Sequence, residues 1–178
     1  MHMANHSFNH SVPSILRFSI PILIMIQIAA VRVFAQESDK EKKEAALQAA
    51  VKNLIDSKHY LFTPQSVMPM RGRSRPLSST YDVKIMGDTM QSYLPYIGRS
   101  FVSGYGDSDG AIDFKSTSFT YAAEAAKKGG WNVTIAPNKV TNVNKLMFNI
   151  SENGYTTLVV TSNTRDQITF YGQITALQ

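Results

Sequence analysis

The sequence contains no cysteine. Disulfide bonds, thiol nucleophiles and thiolate-bound metal sites are therefore excluded. A lipid anchor of the bacterial lipoprotein type is excluded as well, because that lipid is attached to a cysteine at the cleavage site. The fold must be stabilised by its hydrophobic core rather than by covalent cross-links.

Histidine is also scarce, with 4 in the chain. His2, His6 and His10 share a helical spacing, but they lie in a segment whose composition is typical of targeting sequences. His59 is the single histidine after that segment, so a Ser-His-Asp triad would have to use it. It lies at a predicted helix-to-strand junction beside Tyr60, where a general base is poorly held. We therefore expect no enzymatic activity, no metal site and no cofactor.

Residues 1–35 have the composition of a cleavable signal peptide. Arg17 precedes an apolar run at residues 18–31, which is short for a membrane span but matches the hydrophobic region of a signal peptide. Val33-Phe34-Ala35 places small residues where a signal peptidase reads, so cleavage is expected between Ala35 and Gln36. The alternative is an uncleaved membrane anchor. We expect a protein that is exported, to the periplasm or outside the cell, and soluble after cleavage.

Charge is nearly balanced after the cleavage site. The whole chain has 18 Lys and Arg against 13 Asp and Glu, and residues 1–35 contain two of the cations and none of the anions. The remaining excess of +3 is too small to predict binding to nucleic acid. The remaining length, about 143 residues, corresponds to one domain.

Residues 36–58 are predicted to form one amphipathic helix that packs on the rest of the domain. The helical stretch runs from Glu37 to Lys58, with Ser38 as N-cap and Glu41 completing a capping box. Apolar residues recur at intervals of three and four, the spacing of one helix face. The members of that stripe are Leu47, Ala50, Val51, Leu54 and Ile55.

Residues 59–178 are predicted to form strands, because apolar and polar residues alternate there. Pro64 and Pro69 favour an edge position for the first strand, and Gly172 in the last strand predicts a bend or bulge. Hairpin turns are predicted at residues 127–130 and 152–154. The alternating sets are Tyr81-Val83-Ile85, Trp131-Val133-Ile135, Leu146-Phe148-Ile150, Tyr155-Thr157-Val159 and Ile168-Phe170-Gly172-Ile174.

These elements predict a mainly β fold. Roughly seven or eight short strands joined by hairpins form an antiparallel meander, which closes into a barrel or folds into a two-layer sandwich. A lipocalin-like barrel is one form of this architecture. The N-terminal amphipathic helix precedes the meander and would cover an open end or edge of the sheet.

Five motifs occur in an order that resembles one known family. They are SYLPYIGR, SGYGDSDGAIDF, KKGGWNVTI, NGYTTLVVTSN and ITFYGQI. Together they resemble the domain of unknown function 4251 family of exported Bacteroidetes proteins, over about residues 45–178. The resemblance implies the envelope of a Gram-negative bacterium and no assigned function. Within it, Asp88-Thr89-Met90 resembles the short O-glycosylation pattern of Bacteroidetes envelope proteins.

Asp107, Asp109 and Asp113 form the most suggestive polar cluster. Neighbouring glycines would let backbone carbonyls join the aspartates around a hard cation such as calcium. The spacing is not that of an EF-hand, because no glutamate closes the loop. The favoured interpretation is a structural turn at residues 103–110 in which Asp107 and Asp109 accept backbone amides.

Two further sets of residues have both a structural and a functional interpretation. Arg71, Arg73 and Arg75 are suited to phosphate, an anionic sugar or lipopolysaccharide, but a solvated loop is the favoured interpretation. The aromatic residues of the strands are predicted to be mostly core, with an apolar ligand cavity as the alternative. These are Tyr93, Tyr96, Phe101, Tyr105, Phe119, Tyr121, Trp131, Phe148, Tyr155, Phe170 and Tyr171.

The function expected from these features is that of a non-enzymatic periplasmic binding or interaction module. Its partner would be an envelope protein or a small apolar or amphipathic ligand, and not nucleic acid. The alternative is a small β-barrel carrier that holds an apolar or amphipathic ligand inside. An enzyme that uses Asp107, Asp109 and Asp113 is the third and weakest hypothesis.

Cleavage of the signal peptide is directly testable. We expect the intact mass of the protein recovered from the periplasm to correspond to a chain beginning at Gln36, with or without cyclisation to pyroglutamate. Recovery of residues 1–35 still attached to the protein, in a membrane fraction, would contradict the prediction and support the membrane-anchor alternative.

Overall fold

The structure, a computed structural model, describes residues 39–77, 81–99, 111–140 and 142–177. The chain separates into two compact units, Met1–Lys43 and Glu44–Gln178, and the sheet and its core belong to the second. Helix α1 covers residues 39–57, as predicted, and Lys58 ends it in the left-handed region, with φ of 52°. Ser38, the predicted N-cap, lies outside the described residues.

Ten strands follow the helix in the described residues. Their bounds are β1 His59–Pro69, β2 Arg75–Pro76, β3 Asp82–Met86, β4 Thr89–Pro95, β5 Ala111–Ser116, β6 Phe119–Ala125, β7 Trp131–Pro137, β8 Lys145–Ile150, β9 Tyr155–Thr161 and β10 Ile168–Thr175.

All strand pairs are antiparallel, and their order is β5-β4-β3-β1-β10-β9-β8-β7-β6, with β2 paired to β1. β5 and β6 stand at opposite ends of this order, although only Thr117 and Ser118 separate them in the chain. The sheet must therefore curve until its two edges meet. The result is a nearly closed barrel, so the predicted antiparallel meander is confirmed and the barrel is the form it takes.

The barrel interior is built from every second residue along the strands, because successive side chains of a strand point to opposite faces of the sheet. Phe148 lies at its centre and makes edge-to-face contacts with Phe62, at 5.8 Å between ring centroids, and with Tyr60, at 6.4 Å. Both geometries are those that aromatic pairs prefer. Val51 and Ile55 of α1 are buried in the same cluster. The predicted apolar stripe of the helix therefore packs on the barrel at Val51, Leu54 and Ile55, whereas its other members, Leu47 and Ala50, are exposed.

The described part of this interior is filled. A cavity that could hold a ligand would leave its lining side chains accessible to a water-sized molecule. Instead, many inward-facing side chains of β1, β3, β4, β7, β8, β9 and β10 are 0% exposed. These are Tyr60, Phe62, Val67, Val83, Ile85, Met90, Leu94, Ile135, Leu146, Leu158 and Phe170.

A β-bulge lies where β1 crosses Gly172 of β10. The register shifts between Pro64 and Ser66, which leaves Gln65 as the extra residue opposite Gly172 and Tyr171. A Cβ atom at Gly172 would lie 2.2 Å from the carbonyl oxygen of Thr63. Glycine is therefore required by the close approach of the two backbones, and the irregularity predicted at Gly172 is confirmed in its partner strand.

Two sequence predictions about the strands are wrong. β1 is not an edge strand, because it pairs with β10 on one side and with β3 and then β2 on the other. Pro64 is tolerated because it lies between Phe62, the last residue paired to β3, and Ser66, the first paired to β2.

In β9, the inward face carries Thr156, Leu158 and Val160, one residue out of phase with the predicted set that begins at Tyr155. Both faces of β9 carry apolar residues, so alternation alone did not identify the buried one.

The hydroxyl of Tyr60 is the unusual polar group of this core. It is buried, and it has no hydrogen-bond partner of normal geometry among the described residues. Burial raises the pKa of Tyr60 well above its ordinary value of 10.0, and the nearby Tyr121 raises it further. The Tyr121 hydroxyl donates instead to the carbonyl of Ile55, at 3.1 Å, and so ties α1 to the barrel.

We expect Tyr60→Phe to raise the free energy of unfolding by about 1 kcal/mol at neutral pH, because it removes an unsatisfied buried hydroxyl. The folded-state pKa lies above the unfolded value, so the stabilising effect of protonation is complete below about pH 10 and is lost above it. The variant should therefore lose less stability than wild type on going from about pH 8 to about pH 11, as measured by urea unfolding. A loss of stability at neutral pH would show that the hydroxyl has a partner.

Gly172→Ala tests the close approach of β1 and β10. We expect urea unfolding to show a loss of about 3 kcal/mol, the upper end of the range for overpacking. Gly87→Ala is the control, because Gly87 has a φ of 64° but its added Cβ would meet nothing nearer than His59, at 3.6 Å. That variant should lose only about 1 kcal/mol, the cost of a left-handed alanine. Equal losses would contradict the steric explanation.

Candidate binding surface

The outer surface of β7, β8, β9, β10 and the second half of β1 is almost free of charge. Lys145, at the start of β8, is the one charged residue among the outward positions of these strand segments. We call the remaining positions the uncharged face. They are Thr63, Gln65, Ser66 and Met68 of β1, Asn132, Thr134 and Ala136 of β7, Met147 and Asn149 of β8, Tyr155, Thr157, Val159 and Thr161 of β9, and Thr169, Tyr171, Gln173 and Thr175 of β10.

The opposite side of the barrel has a different character. The outward positions of β3 and β5 include Asp82, Lys84, Asp113 and Lys115. Lys84 and Asp82 form an ion pair at 3.0 Å. A charged outer surface is the ordinary way in which a sheet face remains solvated. The absence of charge from the uncharged face is therefore a property of that side and not of the whole barrel.

Strand register aligns polar side chains across the middle of the uncharged face. Ser66 pairs with Tyr171, Tyr171 with Thr157, Thr157 with Asn149, and Asn149 with Asn132. The Nδ2 group of Asn149 donates to Oδ1 of Asn132, at 2.7 Å. This row presents hydroxyl and amide groups side by side, with both donors and acceptors available.

A cleft of about 340 Å³ lies on the uncharged face, next to the turn between β8 and β9. Its two aromatic residues are accessible: Tyr155 is 57% exposed and Tyr171 is 38% exposed. This volume is at the lower end of the range typical of small-ligand sites, roughly 300 to 1,000 Å³. The lining residues are Gln65, Asn149, Ser151, Tyr155, Thr156, Thr157, Tyr171 and Gly172.

Hydrogen bonds fix the turn that positions Tyr155. The backbone nitrogen of Ser151 and its Oγ both donate to the carbonyl of Tyr155, each at 2.8 Å. Thr156 is buried, and its Oγ1 donates to the carbonyl of Gly154 at 3.0 Å. Gly172 adds no side chain to the cleft, which leaves a depression between the tyrosines. The site is therefore formed before any ligand binds, which lowers the entropic cost of binding.

Other clefts on the described surface include two that differ in character. One, of about 380 Å³, is bounded by α1 and the turns that follow β6 and β8, and it includes Leu47, Lys128 and Glu152. The other, of about 240 Å³, is lined by arginines at one end of β1 and includes Arg71, Arg75 and Arg99. The sequence singled out the first two of these arginines but gave no indication that Arg99 would join them.

The structure describes only part of the candidate residues predicted from the sequence. Asp107 and Asp109 lie outside the described residues, as do Ala35 and Gln36. Asp113 is exposed on the outer side of β5, opposite Tyr93 of β4.

Within the described ranges, no three potential metal-binding side chains come together, and no helix is long and apolar enough to cross a membrane. His59 is exposed, and its Nδ1 donates to the carbonyl of Ser57 at 2.9 Å.

Three tyrosines are exceptions to the prediction that the strand aromatics are mostly core. Tyr93, Tyr155 and Tyr171 are all exposed on outward positions. For Tyr171 the sequence contains the necessary signal, because its neighbours Phe170 and Gly172 belong to the apolar alternating set of β10, which places Tyr171 on the other face of the strand. For Tyr155 the phase of β9 had to be known first.

The fold and its surface define a small antiparallel β-barrel with an N-terminal helix and an open polar cleft on its outer wall. The model of the family described as "Domain of unknown function (DUF4251)" matches residues 42–174, and the chain therefore belongs to this family. No curated protein matches the chain.

The chain also resembles the crystal structure of a DUF4251 family protein from Bacteroides eggerthii DSM 20697. The sequence identity is 13%, the TM-score is 0.54, and the match covers 75% of this chain and 91% of that one. At this identity the likeness concerns the fold.

Proposed function

We propose that this protein is an exported, non-enzymatic binding module that binds a neutral saccharide in the cleft of the uncharged face. The observation that carries the proposal is the pair of exposed tyrosines, Tyr155 and Tyr171, set among amides and hydroxyls on a surface without charge.

The cleft has the chemistry that a sugar ring requires. A sugar has an apolar face of C–H groups and a rim of hydroxyls, so it needs flat apolar surface and hydrogen-bonding groups together. Tyrosine supplies a flat ring with a polar tip, and it loses little conformational entropy when it binds. Asn149 and Gln65 each offer both donors and acceptors, and Thr157 adds a hydroxyl. None of these groups requires a charged ligand.

Other ligand classes fit this cleft less well. An anionic ligand would require cations, and the lining residues include none. The carrier alternative requires an apolar cavity inside the barrel, but eleven inward-facing hydrophobic residues of β1, β3, β4, β7, β8, β9 and β10 are 0% exposed. An enzyme would require a general base beside the cleft. His59, the single histidine after residue 35, instead follows the end of α1, and its Nδ1 donates to the backbone carbonyl of Ser57.

The proposed location rests on the N-terminal sequence and on the family. Residues 1–35 have the pattern of a signal peptide, and the structural relative in the same family comes from Bacteroides. An exported protein of such a bacterium encounters cell-surface glycans directly. The polar, uncharged cleft between Tyr155 and Tyr171 is suited to neutral glycans of this kind.

Replacing each cleft tyrosine tests the site. We expect Tyr155→Ala and Tyr171→Ala each to weaken binding to the best ligand of a neutral oligosaccharide array by about tenfold or more, as exposed aromatic anchors do. Tyr93→Ala is the matched control, because Tyr93 is 45% exposed on the outer side of β4 and lies outside the uncharged face. The affinity of Tyr93→Ala for the same oligosaccharide, measured by calorimetry, should stay within about twofold of that of the wild type.

Three results would contradict the proposal. The first is the absence of binding by the wild type to any neutral saccharide at millimolar concentration. The second is an equal loss of affinity in all three tyrosine variants. The third is a defined protein partner that competes for the cleft and loses affinity with Tyr155→Ala, because the face would then be a protein docking site.

A further inference from the structure

Arginines from two separate chain segments converge on one cleft near the C-terminal end of β1. Arg71 and Arg75 come from the segment that follows β1, and Arg99 comes from the segment that follows β4. Asp166 is the single carboxylate in the lining of this cleft, which therefore has a net charge of +2. The complete lining is Pro69, Met70, Arg71, Arg75, Ile97, Gly98, Arg99 and Asp166.

The Arg99 side of the cleft is held by a network around Tyr96. The Tyr96 hydroxyl lies 2.8 Å from the carbonyl oxygen of Arg99 and 3.2 Å from that of Asp166. The backbone nitrogen of Asp166 donates to the same Arg99 carbonyl at 3.1 Å. The guanidinium of Arg165 lies 4.9 Å from the centre of the Tyr96 ring. These contacts fix the backbone that carries Arg99 and Asp166.

The opposite side of the cleft is held by strand pairing. Arg75 begins β2 and pairs with Val67 of β1. The backbone nitrogen of Leu77 donates to the carbonyl of Gln65 at 2.9 Å. Gly72 makes the turn between β1 and β2 with a φ of 135°, which favours glycine. The segment that carries Arg71 and Arg75 is therefore anchored at both ends.

Asp166 is the one carboxylate in the lining, against three arginines. The ion pairs seen in the described ranges, Lys52 with Asp56 and Lys84 with Asp82, do not involve them. Three cations that converge on a cleft with a single carboxylate repel one another, which is unfavourable unless an anion binds between them. The small net positive charge of the whole protein does not explain why three arginines meet at one cleft.

We propose that this cleft binds a phosphate group. A guanidinium presents a planar fork of N–H donors that matches two phosphate oxygens, and three such forks surround the space. The net charge of the lining complements a phosphate monoester, which carries about two negative charges at neutral pH.

The volume of about 240 Å³ holds a phosphate group and the first atoms attached to it, but not a large ligand. The group can belong to a soluble phosphorylated molecule or to a lipid headgroup. This cleft shares no lining residue with the cleft of the uncharged face, so the proposal stands apart from saccharide binding.

Two probes distinguish the sources of the phosphate group. Calorimetry with inorganic phosphate at low ionic strength tests the free group, and sedimentation with phosphatidylglycerol vesicles, compared with phosphatidylcholine vesicles, tests the headgroup. We expect the full-length mature protein to bind at least one of the two phosphate probes.

Each of the two positive results supports the proposal. Binding of inorganic phosphate but not of phosphatidylglycerol vesicles indicates a soluble ligand. Binding of phosphatidylglycerol vesicles indicates a lipid headgroup.

Arginine variants test whether the cleft is the site. Arg75→Gln and Arg99→Gln should each weaken binding by about tenfold or more, and the double variant should abolish it. Arg73→Gln is the matched control, because Arg73 is an exposed cation of the same loop that does not line the cleft, and its affinity should stay within about twofold of wild type. Arg99→Lys keeps the charge without the fork and should fall between wild type and Arg99→Gln.

Circular dichroism of every variant should match that of the wild type, because the substituted side chains are exposed. The proposal is overturned if the wild type binds neither phosphate probe, or if acetate binds as tightly as phosphate. It is also overturned if Arg73→Gln weakens binding as much as Arg99→Gln, because the effect would then be non-specific charge attraction.

Discussion

The pairing of β1 with β10 is the contact on which the rest of the barrel depends. One part of the sheet contains β3, β4 and β5, and the other contains β6 to β9 with β10; β1 joins them by hydrogen-bonding to β3 and to β10. At the middle of this pairing, the backbone of Thr63 and Pro64 lies against Gly172. Both clefts depend on the pairing too, because Gly172 and Gln65 line one of them and Pro69 lines the other.

Features that depend on residues close in sequence could be predicted before the structure was known. The helix follows from the stripe that includes Val51 and Ile55, and most strands follow from alternation because one face of each is buried in the barrel. The irregularity at Gly172 follows from the rarity of glycine inside strands. The barrel could not be predicted in this way, because its closure depends on which strands pair. The pairing of β1 with β10 joins the two parts of the sheet and leaves β5 and β6, which are neighbours in the chain, at its opposite ends.

The candidate sites depend on contacts between distant segments, so the sequence indicated them only in part. Arg71 and Arg75 are conspicuous in the chain, but Arg99 reaches them only because β1 and β4 are both antiparallel to β3 and therefore end on the same side of the sheet. The lack of charge on the uncharged face is visible in each strand separately, yet it acquires meaning only when the strand order places Tyr171 next to Thr157 and Asn149. The prediction that Pro64 makes β1 an edge strand was wrong for the same reason. Pro64 lies between the residues that pair with β3 and those that pair with β2, so it interrupts neither pairing.

The near-closure of the barrel has a dynamic consequence. β5 pairs only with β4 and β6 only with β7 within the described sheet, so a short stretch of chain at Thr117 joins the two edges where hydrogen bonds would otherwise do so. Amides that face this seam have no ladder partner to protect them from exchange with solvent. Opening at the seam breaks no strand pairing, so transient fluctuations of the barrel should begin there. They should admit water to partly buried side chains of the two edge strands, such as Phe114 of β5 and Tyr121 of β6.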